Sequence, residues 1–136
     1  MTRRKWALLN HSDAALAATR LLGGARVQEV AFQALSWRLL LTRPLDGRTR
    51  EFVISSDSDI SADGERFVDM ERDIVTAMAL LHGLIGNVVQ EVQALGPMHY
   101  RIVLEDQTLV VRELSEAVDN AMKVYEHPPG EEIFCG

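Results

Sequence analysis

Four residues in the middle of the chain, Asp59, Ser61, Asp63 and Gly64, form the pattern D-x-S-x-D-G, which matches the first half of a calcium-binding loop. Calcium needs several hard oxygen ligands at once, and the glycine permits the sharp turn between them. The twelfth position of such a loop carries a bidentate glutamate, but here it is Met70. We therefore interpret the stretch as a solvated acidic loop that caps a helix, and we predict no metal site.

The histidines and the single cysteine do not have the spacing of a catalytic or zinc-binding motif. Cys135 would act as a nucleophile only if a histidine and an orienting group converged on it, so we expect an ordinary free thiol. The sequence also lacks nucleophile-elbow, phosphate-binding and dinucleotide-binding motifs. We therefore predict a non-enzymatic protein with no catalytic residue and no cofactor. An enzyme whose site is assembled from distant residues stays an alternative.

Charge is distributed unevenly along the chain. Residues 1–56 hold nine basic and four acidic residues (net +5), whereas residues 57–136 hold five basic and sixteen acidic residues (net −11). The halves could interleave into a mixed surface, or the second could present an acidic face to a basic protein partner. A pI of about 5.1 argues against nucleic-acid binding. The candidate partner-binding residues are Asp57, Asp59, Asp63, Glu65, Asp69 and Asp73.

A second hypothesis is a homo-oligomeric domain that binds a small ligand or has a structural role. It requires a concave apolar pocket with a few polar groups, at a sheet edge or a barrel mouth. The candidate pocket residues are Trp37, His99, Tyr100 and Arg101.

Length and composition favour one globular domain over residues 1–136. A single cysteine cannot form an internal disulfide and is typical of a reducing compartment, so we expect a cytoplasmic protein. The apolar run Trp6–Leu9 is shorter than the roughly 7–15 residues of a secretion signal. No stretch reaches the ~18 apolar residues that a membrane span requires.

The tetrapeptide VQEV occurs twice, at residues 27–30 and 89–92, and Gly24 and Gly86 precede the two copies at the same distance. Both copies continue into an apolar strand, a polar turn and a second apolar strand. The first of these turns contains Asp46-Gly47, a strong hairpin signal, because glycine accepts the positive φ of tight hairpin turns. Two unrelated meanders of similar pattern are the alternative to a true repeat.

Three helices are predicted around these meanders. Ser12 would cap a helix over residues 14–22, and a longer helix would run from about Glu65 to Gly83. A third would begin at Ser115 and end at Pro128-Pro129. The apolar stripe of the second helix is Phe67, Met70, Ile74, Ala77, Met78 and Leu81, and that of the third is Val118, Met122 and Tyr125. The tail, residues 132–134, would add a short edge strand.

The predicted fold is therefore α+β. It consists of two repeats, approximately residues 12–56 and 65–113, each a helix followed by a three-stranded meander. Together they would form a six-stranded antiparallel sheet or a partial barrel with packed helices.

This duplicated pattern, G-x-x-V followed by an apolar strand, a D-G turn and another apolar strand, resembles small uncharacterised bacterial domains. Some of these are immunity-type proteins encoded beside secreted or contact-delivered toxins. The resemblance covers most of the chain and depends on hydrophobic patterning and a few glycines. It implies a single-domain binder without catalysis, and it does not identify the partner.

Overall fold

The computed structural model describes residues 10–115, 117–128 and 130–136. The apolar run Trp6–Leu9, and two residues of the predicted third helix, Glu116 and Pro129, lie outside this part of the chain. The described part contains two α-helices, α1 His11–Leu22 and α2 Ile74–His82, and nine strands. The strands are β1 Arg26–Gln33, β2 Ser36–Leu45, β3 Arg48–Ser56, β4 Asp59–Ser61, β5 Val89–Gly96, β6 His99–Leu104, β7 Thr108–Arg112, β8 Met122–His127 and β9 Glu132–Cys135.

The strands form two antiparallel sheets, with the orders β1-β2-β3-β8-β9 and β4-β7-β6-β5. The predicted α+β class is confirmed, but the strands are divided between two sheets instead of lying in one six-stranded sheet. Two sheets form because each half of the chain contributes at least one strand to the sheet of the other half. β4, which follows the first meander, pairs with β7 of the second, and β8, which follows the second meander, pairs with β3 of the first.

β1 and β5 begin with the same backbone geometry. Gly24 and Gly86 have φ values of +87° and +93°. The Gly24 amide donates to the carbonyl of Val89 at 2.9 Å, and the Gly86 amide donates to the carbonyl of Val27 at 2.8 Å. These conformations are accessible to glycine at little cost, which explains the residue type at both positions.

The two VQEV segments also share an irregularity of pairing. The register of β1 on β2 shifts between Val27 and Glu29, and that of β5 on β6 shifts between Val89 and Glu91. In each strand the glutamine is therefore the extra residue of a β-bulge, which bends the strand and increases its twist. Both segments are strands, as predicted.

The hydrophobic core is one cluster with contributions from both sheets and both helices. α1 packs against β5, β8 and β9. Its buried face consists largely of alanines, Ala14, Ala15 and Ala18, whose small side chains allow the helix to approach the strands closely. The largest fully buried side chains include Trp37, Phe52, Tyr100, Leu39, Leu41 and Ile102.

α1 begins earlier than predicted. The cap is Asn10 and not Ser12, because the Asn10 side chain accepts a hydrogen bond from the amide of Asp13 at 2.8 Å. Serine and asparagine are comparably good caps, so residue type alone could not decide between them.

The second helix is shorter than predicted: it spans Ile74–His82 instead of starting near Glu65. Val68 forms an antiparallel bridge with Ile60 of β4, which requires extended backbone where the helix was expected. Asp73 is the N-cap, and its side chain accepts from the amide of Thr76 at 3.2 Å.

The predicted third helix is wrong. Met122 and Tyr125 belong to β8, and Val118 lies in the irregular segment that precedes it. β8 is held between β3, which is distant in the sequence, and β9, so strand pairing determines its conformation. The edge strand at the tail is confirmed as β9, and the Asp46-Gly47 hairpin turn is confirmed between β2 and β3, with positive φ at both residues.

Candidate functional site

Residues 57–73, called the acidic segment below, connect β3 with α2. The segment holds seven acidic residues and two arginines, a net charge of −5, and α2 follows it with no acidic or basic side chain except His82. Asp57 and Glu65 are exposed to solvent. The strongly charged segment therefore ends immediately before an apolar helix.

Asp63 shapes the loop within the acidic segment. Its Oδ1 accepts from the amides of Glu65 and Arg66 at 2.8 and 2.9 Å, and from the hydroxyl of Ser61 at 2.9 Å. The amides of Arg66 and Glu65, followed by the Ser61 hydroxyl, stabilise the carboxylate and lower the pKa of Asp63 to about 2. Gly64 provides the positive φ, +82°, at the turn.

Asp69 and Asp73 also have local roles. The Asp69 carboxylate accepts from the amide of Glu71 at 2.8 Å. It also lies 3.8 Å from the guanidinium of Arg72, an exposed pair that contributes little to stability. Asp73 caps α2 and accepts from the hydroxyl of Thr76 at 2.8 Å. These carboxylates organise the backbone before α2, and Asp73 remains exposed while doing so.

Asp59 differs from the other acids because it belongs to a row of side chains across three strands. In the register of the sheet, Asp59 of β4 lies opposite Arg112 of β7, and Arg112 lies opposite His99 of β6. Burial raises the pKa of Asp59, and the carboxylates of Asp69 and Glu113 raise it further, while the guanidinium of Arg112 opposes them.

Phe67 covers this row. The guanidinium of Arg112 lies 3.7 Å from the centroid of the Phe67 ring, and the His99 ring meets the same phenyl ring edge-on at 6.2 Å. Burial, followed by the positive charges of Arg112 and Arg101, lowers the pKa of His99. The Nε2 of His99 and the Nε of Arg112 are buried without a hydrogen-bond partner in the described structure. We expect His99 to be neutral at pH 7.

The four predicted pocket residues divide into a buried pair and a pair on the other face of β6. Trp37 and Tyr100 are completely buried in the core. The Trp37 indole donates to the carbonyl of Ser58 at 3.2 Å, and the Tyr100 hydroxyl donates to the carbonyl of Gly136 at 2.5 Å. His99 and Arg101 occupy the opposite face of β6, because side chains alternate along a strand.

α2 presents apolar side chains to solvent. Ala77 and Leu81 are its buried residues, while Val75 is 74% exposed, Ile74 40% and Met78 37%. At 3.6 residues per turn, the exposed residues form one continuous strip beside the buried ones. Ile74 and Met78, two residues of the predicted apolar stripe, are therefore exposed, whereas Met70, Ala77 and Leu81 of the same stripe are buried.

The sequence contains a signal for this surface other than helical periodicity. The run IVTAMALL in residues 74–81 has one polar member, Thr76. A helix that is apolar around its whole circumference is normally buried on all sides. α2 is short and follows a charged loop at the protein surface, and the rest of the protein leaves part of its apolar surface uncovered.

Three other features bear on site predictions. Across the described ranges, no group of three or more histidine, cysteine or acidic side chains is placed to hold a metal ion. Cys135 is buried in β9, and burial raises the pKa of its thiol to about 12. Neither helix is long and apolar enough to cross a membrane, within the residues that the structure describes.

Comparison of the chain with protein-family models, with curated proteins and with solved structures finds no significant match. The resemblance to immunity-type domains therefore stays an expectation from the sequence.

Proposed function

We propose that this protein is a non-enzymatic protein-binding domain that docks its partner on the exposed strip of α2, with the acidic segment as a charged rim. The partner would offer an apolar patch flanked by lysines or arginines. An immunity-type protein, which neutralises another protein by covering it, is one form of this function. The observation that carries the proposal is the exposure of Val75, Ile74 and Met78 beside a segment with a net charge of −5.

The apolar strip would supply the affinity. Burial of apolar surface contributes about 25 cal/mol per Å², and a few well-packed anchors usually carry most of the binding energy. Val75 and Met78 lie three residues apart on α2, so both reach the same side of the helix. Exposed apolar side chains that lie together beside polar residues favour an interaction surface.

The acidic segment would supply orientation and association rate. Complementary charge steers the encounter, and it discriminates against partners of the wrong sign. The local hydrogen bonds of Asp63 and Asp73 hold their carboxylates in fixed positions without removing the charge. Asp57 and Glu65 are exposed and add to the same field.

The test is affinity capture from native cells with the tagged protein, followed by quantitative binding with three variants. Val75→Asp should abolish retention of the partner. Leu16→Asp is the matched control, because Leu16 is 57% exposed on α1, and it should bind normally. Glu65→Lys should slow association and reduce its salt dependence. Equal binding by Val75→Asp and Leu16→Asp would refute the proposal.

A second copy of the chain is the competing occupant of the strip, and the same variants identify it. In that case the protein would behave as a dimer in light scattering, and Val75→Asp would make it monomeric. No heterologous partner would then depend on Val75. That result would move the function to the homo-oligomeric alternative.

We further propose that the fold arose by duplication of a helix-and-meander unit. The shared bulges at Gln28 and Gln90 support this origin, as do the reciprocal hydrogen bonds of Gly24 and Gly86. β4 and β8, each of which pairs with a strand of the other half, would have been added to the duplicated units. A cytoplasmic location is also proposed, on the basis of the single buried thiol at Cys135.

A further inference from the structure

A cavity of about 430 Å³ lies against the second half of α1, beside β2, β3 and β8. This volume is within the range of small-molecule sites, roughly 300–1,000 Å³. Its lining includes three arginines and two glutamates: Arg20, Arg43, Arg50, Glu126 and Glu131. Arginine is well suited to recognise carboxylate and phosphate groups, because its planar guanidinium presents several donors in a fixed geometry.

Arg43 is held in place by its surroundings. Its Nη1 donates to the carbonyls of Gly23 and Arg20 at 3.0 and 3.3 Å, where α1 ends. The guanidinium lies 5.1 Å from the centroid of the Phe52 ring. The Nε of the same group is buried and has no hydrogen-bond partner among the described residues. Arg43 is therefore fixed beside the cavity, and its guanidinium forms no ion pair with a carboxylate of the described residues.

The charges around the cavity do not cancel. Arg50 and Glu126 form an ion pair, in which both Nε and Nη2 of the arginine contact one carboxylate oxygen. This pair is neutral as a unit. Of the other charged residues that line the cavity, two are arginines, Arg20 and Arg43, and one is the solvent-exposed Glu131. The remaining charge at the cavity is therefore positive within an acidic protein.

We propose that this cavity binds a small molecule through an anionic oxygen group, a phosphate or a carboxylate. The guanidinium groups of Arg43 and Arg20, which line the cavity, would donate to its oxygens, and the Phe52 ring would support the plane of Arg43. The site lies on α1 and is separate from the α2 docking strip, so each proposal can fail without the other.

The test follows the arginine Nε–H signals by NMR while inorganic phosphate or succinate is added at constant ionic strength. Saturable shifts of the Arg43 and Arg20 signals are expected, with no comparable shift for Arg38, which is exposed on the opposite face of β2. The ligand that saturates at lower concentration identifies the anionic group. Equal, non-saturating shifts of Arg20 and Arg38 with both ligands would overturn the proposal.

Variants then assign the binding to the cavity. Arg20→Gln keeps a good helix former at an exposed position and removes one donor, so it should weaken binding roughly tenfold. Arg38→Gln removes the same charge elsewhere and should leave the affinity unchanged. Val75→Asp should also bind the anion normally, which separates this site from the α2 strip. An affinity lowered equally by Arg20→Gln and Arg38→Gln would show a net-charge effect and would refute the site.

Discussion

Arg26 and Val88 face each other in an isolated antiparallel bridge, at the point where the five-stranded and the four-stranded sheets meet. The guanidinium of Arg26 adds a second link, because its Nη1 donates to the carbonyl of Gly86 at 2.5 Å. The two sheets are therefore connected by backbone hydrogen bonds as well as by the core. The glycines beside the bridge allow the chain to turn sharply into each strand.

Gly86→Ala should lower the free energy of unfolding by about 1–2 kcal/mol, because a residue with a Cβ is strained at φ +93°. No atom lies within 4 Å of the added methyl group, so strain is the expected cause. Gly96→Ala is the control: its Cβ also meets no neighbour within 4 Å, and its φ is not positive. Urea denaturation of both variants measures the difference, and equal stabilities would contradict the explanation.

Asp73→Ala should destabilise the protein by about 1 kcal/mol through loss of the N-cap of α2. Asp57→Ala removes the same charge from an exposed position and should change the unfolding free energy by less than about 0.5 kcal/mol. Denaturant unfolding compares the two variants. If both had the same small effect, Asp73 would not stabilise the helix.

Asp63 should make stability depend on pH in the acid range. Its pKa is lowered from 3.8 to about 2 in the folded protein. A lowered carboxyl pKa means that the folded state favours the ionised form, so this stabilisation is present above pH 3.8 and is lost as the pH falls to about 2. Asp63→Asn should therefore be less stable than the native protein at pH 5, and the gap should narrow towards pH 2. A difference in stability between the two proteins that does not change with pH would exclude a contribution from the ionisation of Asp63.

His99 should titrate below its ordinary pKa of 6.5. Because the folded state binds this proton less well than the unfolded chain does, stability falls as the pH drops below 6.5. Arg112→Gln removes one nearby positive charge and should move the NMR titration midpoint of His99 upward. Burial, the largest cause, persists in this variant, so the midpoint should remain below 6.5. An unchanged midpoint would show that Arg112 does not act on His99.

Cys135 should resist thiol reagents in the native protein at pH 8. Its side chain is buried, and a pKa raised to about 12 leaves almost no thiolate. In denaturant the same thiol should react at the rate of an ordinary cysteine. Native protein that reacts as fast as unfolded protein would show that β9 opens readily.

Local sequence predicted the elements whose conformation depends on their own residues. The Asp46-Gly47 dipeptide and a capping residue before position 14 are local signals, and the first hairpin and α1 were predicted from such signals. β8 was instead predicted to be part of a helix, because the apolar residues at positions 118, 122 and 125 fit a helical period. Pairing of β8 with β3 decides the conformation, and this partner is distant in the sequence.

The candidate site could be predicted only in part. The acidic composition of residues 57–73 is visible in the sequence, and so is the apolar character of residues 74–81. The side of α2 that faces solvent depends on where the helix begins. Bridging of Val68 with Ile60 and capping by Asp73 set that point, and a periodic pattern does not contain this information.

The pairing of β3 with β8 also determines the order in which the molecule can be completed during synthesis. Ser55 pairs with Lys123, and Glu51 pairs with His127. As the chain leaves the ribosome from its N-terminus, β1, β2 and β3 can form a meander early, but one edge of β3 stays open until residues 122–127 emerge. An open edge invites pairing with other chains. We therefore expect chains that terminate before residue 122 to aggregate.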